Sequence, residues 1–371
     1  MNDLYTIADV SQLLSPSLVI FRDLVEQNLA GMIRIAGNAE RLRPHCKTHK
    51  MREVVRMQLD AGITRHKCAT IAEAEMLATA GAKDILLAYN PVGPNIQRVV
   101  RLCKQYPEVQ FIVTADAPEP IAELGRQLTA ADAQLEVLLD LNTGQNRTGV
   151  QPGDEAERLY RMIASTSGLK AGGLHLYDGQ NHQSDPDERR AAVRACWNRA
   201  ASLRDKLVAS GQDVPRIVAG GTGSFPMYAE LDDLAIELSP GTLIFHDANY
   251  RNTYGDLQFT PAALLLTRVV SRPTSDRVTF DLGYKAVASD PPAGRRLVIP
   301  AIPDAQFLLQ NEEHLVVQTE LAAQFKPGDF SLAIPSHVCP TCALHRSAYV
   351  VWDGQVQAEW EVAGRDRMLT I

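Results

Sequence analysis

The sequence predicts an α/β fold: a (β/α)8 barrel over residues 1–250, followed by an all-β domain over 251–371. Three observations lead there. Apolar runs of strand length alternate with helical patterns eight times up to about residue 245. Polar and glycine-rich clusters follow those runs, where barrels carry their chemistry. Past residue 250 helical periodicity fades, and β-branched runs punctuated by Pro and Gly take over.

In chain order, the first run lies around Leu42 and Arg43 and leads into Lys47. The others are 64–69, 84–88, 109–113, 135–141, 173–177, 216–219 and 234–238. Between them, Ile71–Ala78 reads as a helix with Thr70 as N-cap and Gly81 as its stop, and another opens at Asp187 after Pro186. Eight strands separated by helices over this length fit a barrel better than an open doubly wound sheet. No Gly-x-Gly-x-x-Gly follows a first strand to favour dinucleotide binding. Residues before about 15 show only short apolar pairs and are open to packing with the β domain; that second domain carries strand patterns at 267–270, 277–280, 315–318 and 348–351.

A chain of 371 residues suffices for one barrel and an appendage. Its hydrophobic fraction of 45% and charged fraction of 22% are those of an ordinary globular protein. A net charge of −7 argues against a general nucleic-acid binder and a polybasic membrane anchor. Met1-Asn2-Asp3-Leu4 has neither the basic head nor the apolar run of a signal peptide, and no apolar stretch is long enough to span a bilayer. The six cysteines lack a framework spacing apart from Cys339 and Cys342, which fits a reducing, cytoplasmic setting.

The chemistry gathers at strand ends. In Pro44-His45-Cys46-Lys47-Thr48-His49-Lys50, an amine at the end of a buried strand lies among other cationic groups, as a Schiff-base lysine requires; a solvated basic strand end is the plainer reading. Asn142–Gly149 follows the fifth run, Tyr177–His182 the sixth, Gly220–Ser224 the seventh and Ser239–Thr242 the eighth. The last two are loops of small residues and hydroxyls, whose backbone N–H groups can converge on a phosphate where barrels commonly hold one. One such loop is usually just a turn. Two of them together with Lys47 suggest pyridoxal phosphate. In the β domain, His337-Val338-Cys339 places two soft ligands on one side of an extended segment, a pair suited to an open zinc site. Cys339-x-x-Cys342 also invites a zinc-ribbon or redox reading, but a second Cys-x-x-Cys and a thioredoxin-like context are absent.

Pro44–Lys50, Cys68–Ala74, Thr143–Gly149, Asp281–Ala286 and Ser336–Thr341 carry a likeness by which the chain resembles the fold-type III pyridoxal-phosphate enzymes (the alanine racemase fold) over essentially its whole length. The likeness is greatest to the branch of metal-activated D-threonine aldolases and D-serine dehydratases. The resemblance implies that Lys47 forms the Schiff base with the cofactor, that Arg147 lies near the phenolic oxygen of its ring, and that Tyr177 contacts it. Gly221, Thr222, Gly241 and Thr242 would hold the phosphate. His337 and Cys339 would bind a divalent metal (zinc or manganese), and His182 would sit near the substrate hydroxyl. It implies a homodimer in which one subunit's β domain closes the other's barrel mouth.

The expected reaction is cleavage of 3-hydroxy-D-amino acids such as D-threonine to glycine and an aldehyde; the alternative is dehydration to a 2-oxo acid and ammonia. Cys339 is the dehydratase-like choice where aldolases often carry a carboxylate, whereas Tyr177–His182 is the more aldolase-like loop. A racemase, a cofactor-homeostasis protein and a structural zinc protein are the remaining readings. A bare barrel in homeostasis would lack the second domain, and a structural zinc protein would need neither Lys47 nor two phosphate loops.

Overall fold

The computed structural model describes residues 3–233 and 235–371. Met1 and Asn2, at the head of the segment read for a leader, and Leu234, the first residue of the expected eighth strand, lie outside the described residues. The chain divides into two compact units. One comprises Ile33–Lys47, Arg52–Gly241 and Asp366–Ile371; the other comprises Met1–Met32, Thr48–Met51 and Thr242–Arg365. The expected ranges 1–250 and 251–371 do not coincide with them, because an early strand pairs within the strand-rich unit.

That strand is β1 (Ser17–Phe21), an apolar run outside the alternation read from the sequence. It runs parallel to β15 (Ser347–Trp352) and antiparallel to β9 (Ala263–Thr274). The remaining strands of this unit are β10 (Arg277–Phe280), β11 (Leu297–Val298), β12 (Gln306–Gln310), β13 (Leu315–Gln318), β14 (Phe330–Pro335) and β16 (Gln355–Glu361). Their order is β12-β13-β10-β9-β1-β15-β16, with β14 on β9 and β11 on β14. Leu18, Val19 and Ile20 are wholly buried; since successive strand residues point to opposite faces, β1 is covered on both faces of the sheet.

In the other unit, β2 (Arg65–Cys68), β3 (Asp84–Leu87), β4 (Gln110–Ala115), β5 (Leu135–Leu141), β6 (Leu169–Leu176), β7 (Ile217–Ala219) and β8 (Ile236–Leu238) pair in parallel in sequence order. The eighth member of the ring survives as two parallel bridges, Leu42↔Leu238 and His45↔Lys67, which tie the segment before Lys47 to β8 and β2. Pro44 has no N–H to donate to a ladder, yet its carbonyl accepts from Lys67 N at 2.9 Å and Cys46 N donates to Lys67 O at 2.8 Å. The expected eight-stranded barrel is thus present, with its first strand reduced to a few residues. The expected helix is found at Ile71–Ala80; Thr70 Oγ1 accepts from Glu73 N, and Gly81 ends it at φ 108.

Alternation along the strands stacks the barrel interior in layers. At the strands' amino ends Arg43, wholly buried, pairs with Glu237 at 2.5 Å and Asp84 at 2.7 Å, and Arg216 pairs with Glu136. Above them Leu86, Ile112, Leu138 and Val218 form an apolar layer. Because Glu136, Leu138 and Asp140 share one face of β5, the next layer is polar again. Among the described residues no helix is long and apolar enough to cross a membrane.

Candidate active site

Lys47 is half-buried just past the bridge that joins His45 to β2, and its backbone N–H donates to His45 Nδ1 at 3.2 Å. Its Nζ lies 5.8 Å from the centre of the Tyr177 ring, and the Arg147 guanidinium carbon lies 4.8 Å from the same ring. The three residues expected around the cofactor ring therefore meet, although they come from three different strand ends. Cation–aromatic attraction favours this grouping.

Tyr177 is hemmed in by glycines. A Cβ on Gly179 would stand 2.7 Å from the Tyr177 hydroxyl, and one on Gly221 would stand 3.0 Å from Tyr177 Cε2. The Arg147 loop is shaped by Asn142, whose Oδ1 accepts from Gly144 N and Asn146 N, and by Gly149 N donating to Asp116 at 2.7 Å. Of the expected phosphate residues, Gly241 N donates to Thr222 Oγ1 at 3.3 Å, which brings the loops after β7 and β8 together. Gly221 N donates to Ser224 Oγ, which in turn donates to the buried Asp178 at 2.7 Å. This joins the β7 loop to the β6 loop. Small residues, hydroxyls and an amine at one strand end fit pyridoxal phosphate. His182 is exposed on the β6 loop, its N–H on the Gln180 carbonyl.

Three interior residues lie beneath this rim that the sequence reading does not single out: Lys67, Asp140 and His175, each nearly inaccessible. Burial, then the like charge of Lys47, brings Lys67 down to about 7 against the pull of Asp140. Burial also opposes the Asp140 charge, but the hydrogen bond of His175, with Thr148 and Lys67, holds the carboxyl below its ordinary value. Asp140 Oδ1 lies 2.7 Å from His175 Nδ1, and burial followed by the charge of Lys67 pushes the His175 imidazole below its ordinary value against the pull of Asp140. Their signal was one of position: Asp140 precedes the Arg147 loop by two residues, and His175 precedes Tyr177 by two.

In the strand-rich unit, His337 and Cys339 are hydrogen-bonded to each other. The expected extended His-x-Cys segment is instead a helix start: His337 is the N-cap of Val338–Leu344, which places Cys339 in its first turn. Pro340 is tolerated there because first-turn N–H groups lack intrahelical partners anyway, and Thr341 Oγ1 donates back to His337 O at 2.8 Å. Asp290 Oδ2 lies 2.5 Å from His337 Nδ1, and Thr48 Oγ1 lies 3.1 Å from Cys339 Sγ. The Thr242 hydroxyl, expected at the phosphate, lies 3.6 Å from the same sulfur. Imidazole and thiol side by side, the imidazole backed by a carboxylate, suit a zinc-like ion. Cys342 is a free, wholly buried thiol that burial, then the charge of Cys339, pushes up; it packs in the core.

Comparison with known proteins agrees with this geometry. The family model described as alanine racemase, N-terminal domain, matches residues 20–248, and that of a putative serine dehydratase domain matches 262–351. A D-threonine aldolase of Arthrobacter sp. is 33% identical over 95% of this chain and 92% of its own length. A D-threo-3-hydroxyaspartate dehydratase of Delftia sp. (strain HT23) is 27% identical over 94% of this chain and 96% of its own. The crystal structure of D-threonine aldolase from Filomicrobium marinum superposes with a TM-score of 0.88 at 31% identity, covering 95% of this chain and 96% of that one. The chain belongs to the alanine racemase-fold family of pyridoxal-phosphate enzymes, in the branch of the D-threonine aldolases and D-serine dehydratases, and is a lyase of that branch.

Proposed function

We propose that this enzyme cleaves 3-hydroxy-D-amino acids such as D-threonine to glycine and an aldehyde, with pyridoxal phosphate at Lys47 and a divalent metal, zinc or manganese, at His337 and Cys339. The observation that carries the reading is the His337–Cys339 pair backed by Asp290, in a chain one-third identical to a D-threonine aldolase. Chemistry at Cα alone needs no such pair, whereas a 3-hydroxyl gives a metal something to hold.

Bound pyridoxal phosphate supplies an electron sink for the bond broken at Cα, and a bound divalent ion acidifies and orients the hydroxyl. Lys47 would hold the cofactor through its amine, Arg147 and Tyr177 would fix the ring, and Gly221, Thr222, Gly241 and Thr242 would hold the phosphate. His182 takes the proton of the 3-hydroxyl, directly or through a water. The working form is a homodimer.

Cys339, in place of a carboxylate, favours the second reading, dehydration, in which Lys47 removes the α-proton and hydroxide leaves. Product analysis with purified protein, pyridoxal phosphate, metal and D-threonine or D-serine decides between them. Glycine and acetaldehyde from D-threonine establish the aldolase; a 2-oxo acid and ammonia establish the dehydratase. Neither product from these or from 3-hydroxy-D-aspartate rules out both.

A further inference from the structure

The interior trio of Lys67, Asp140 and His175 has no part in the chemistry derived so far. Three charged or polar side chains within a barrel layer are costly unless something uses or balances them. Lys67 and Asp140 balance one another. His175 is different: Nδ1 is engaged by Asp140, and Nε2 is buried and meets no partner among the described residues.

The tautomer follows from the partner. An ionised carboxylate only accepts, so Nδ1 carries the proton and Nε2 presents a lone pair. The hydrogen bond from His175, with Thr148 and then Lys67, holds that carboxyl below its ordinary value, so the 2.7 Å contact fixes the tautomer. His175 lies in β6 and Tyr177 directly follows that strand, two residues on, so at the rise of extended chain His175 stands about 7 Å further back along the strand than the residue whose ring neighbours Lys47.

Pyridoxal phosphate has one polar atom that the rim residues leave unserved. Its carbonyl goes to Lys47, its phosphate to the loops after β7 and β8, and its phenolic oxygen to the Arg147 side. The carbonyl-bearing carbon is para to the ring nitrogen, so this nitrogen lies at the opposite edge from Lys47. We propose that His175 faces the ring nitrogen of the cofactor and accepts a hydrogen bond from it through Nε2, keeping that nitrogen protonated, with Asp140 and Lys67 as positioning residues. A protonated ring nitrogen is the stronger electron sink, which suits cleavage of an unactivated Cα–Cβ bond.

This inference rests on cofactor binding at Lys47, and the test separates the two. The holoenzyme is reconstituted with pyridoxal phosphate carrying ¹⁵N in the ring, and the ¹⁵N resonance is recorded without substrate for wild type, His175→Leu and His175→Gln. The expected result is the shielded resonance of a protonated nitrogen in wild type, its loss in His175→Leu, and its retention in His175→Gln, whose amide oxygen still accepts. If His175→Leu does not fold, His175→Phe, closer to imidazole in shape, gives the same reading. An unprotonated nitrogen in wild type, or a protonated one that persists in the apolar variants, overturns the proposal. Failure of wild type to take up the labelled cofactor would instead overturn the binding reading itself.

Discussion

The Asp290 carboxylate holds His337 Nδ1 at 2.5 Å, so in the proposed site the other ring nitrogen would be the one to bind a metal. A carboxylate in this position fixes the imidazole's orientation and raises its basicity as a ligand. Asp290→Asn is expected to lower divalent-metal affinity by about 10- to 100-fold, read by competition with a fluorescent chelator. Unchanged affinity would mean the contact serves folding alone.

Lys47→Ala is expected to abolish the visible absorption that the bound cofactor gives with the wild-type enzyme. A persisting yellow band would place the Schiff base on another amine; Lys67, buried beside Lys47, is the first to examine.

His337→Ala and Cys339→Ala are expected to retain that band and lose turnover, as is wild type treated with chelator. Full activity after metal removal would exclude a catalytic ion, and unfolding on chelation would make the ion structural.

Lys67 gives stability a pH dependence whose sign can be worked out. The unfolded chain keeps this lysine charged up to its ordinary value near 10.5, but the folded chain only to about 7. Between those limits the unfolded state binds more protons, so this residue's contribution to stability rises with pH at about 1.4 kcal/mol per unit. Below about 7 the cost of the buried ammonium is fully present. Lys67→Met is therefore expected to stabilise the protein by a few kcal/mol near pH 6, less what Asp140 loses, with the gain shrinking towards pH 9. Urea melts at the two pH values check this; an equal gain at both would refute it.

The strand count was legible because most of the runs are apolar and bounded by turn residues, and β5, β10 and β13 end where the pattern ends. The first barrel strand was legible only through Lys47, since Pro44 interrupts its ladder and leaves bridges. The site residues at strand ends could be read because barrel chemistry sits there. Asp140 and His175 could not, because inside a strand a buried acid and a buried imidazole look like irregularities until two strands bring them together. Cys339 was expected in an extended segment because His-x-Cys spacing puts both side chains on one side of a strand; the helix that starts at His337 instead admits Pro340 in its first turn. β1 was invisible as part of the sheet because its partners lie far along the chain.

That last separation bears on how the molecule is made. β1 leaves the ribosome early, yet its neighbours β9 and β15 are synthesised only after the whole barrel sequence. Until then an apolar strand with two unpaired edges must wait, which is the state most prone to association with other nascent chains. The barrel cannot close its account early either: the Arg98 guanidinium donates to the Ile371 carbonyl at 2.7 Å and Thr370 N donates to Glu75. Both units thus depend on contacts between segments far apart in sequence, and a nascent chain stalled before residue 262 would display β1 unpaired.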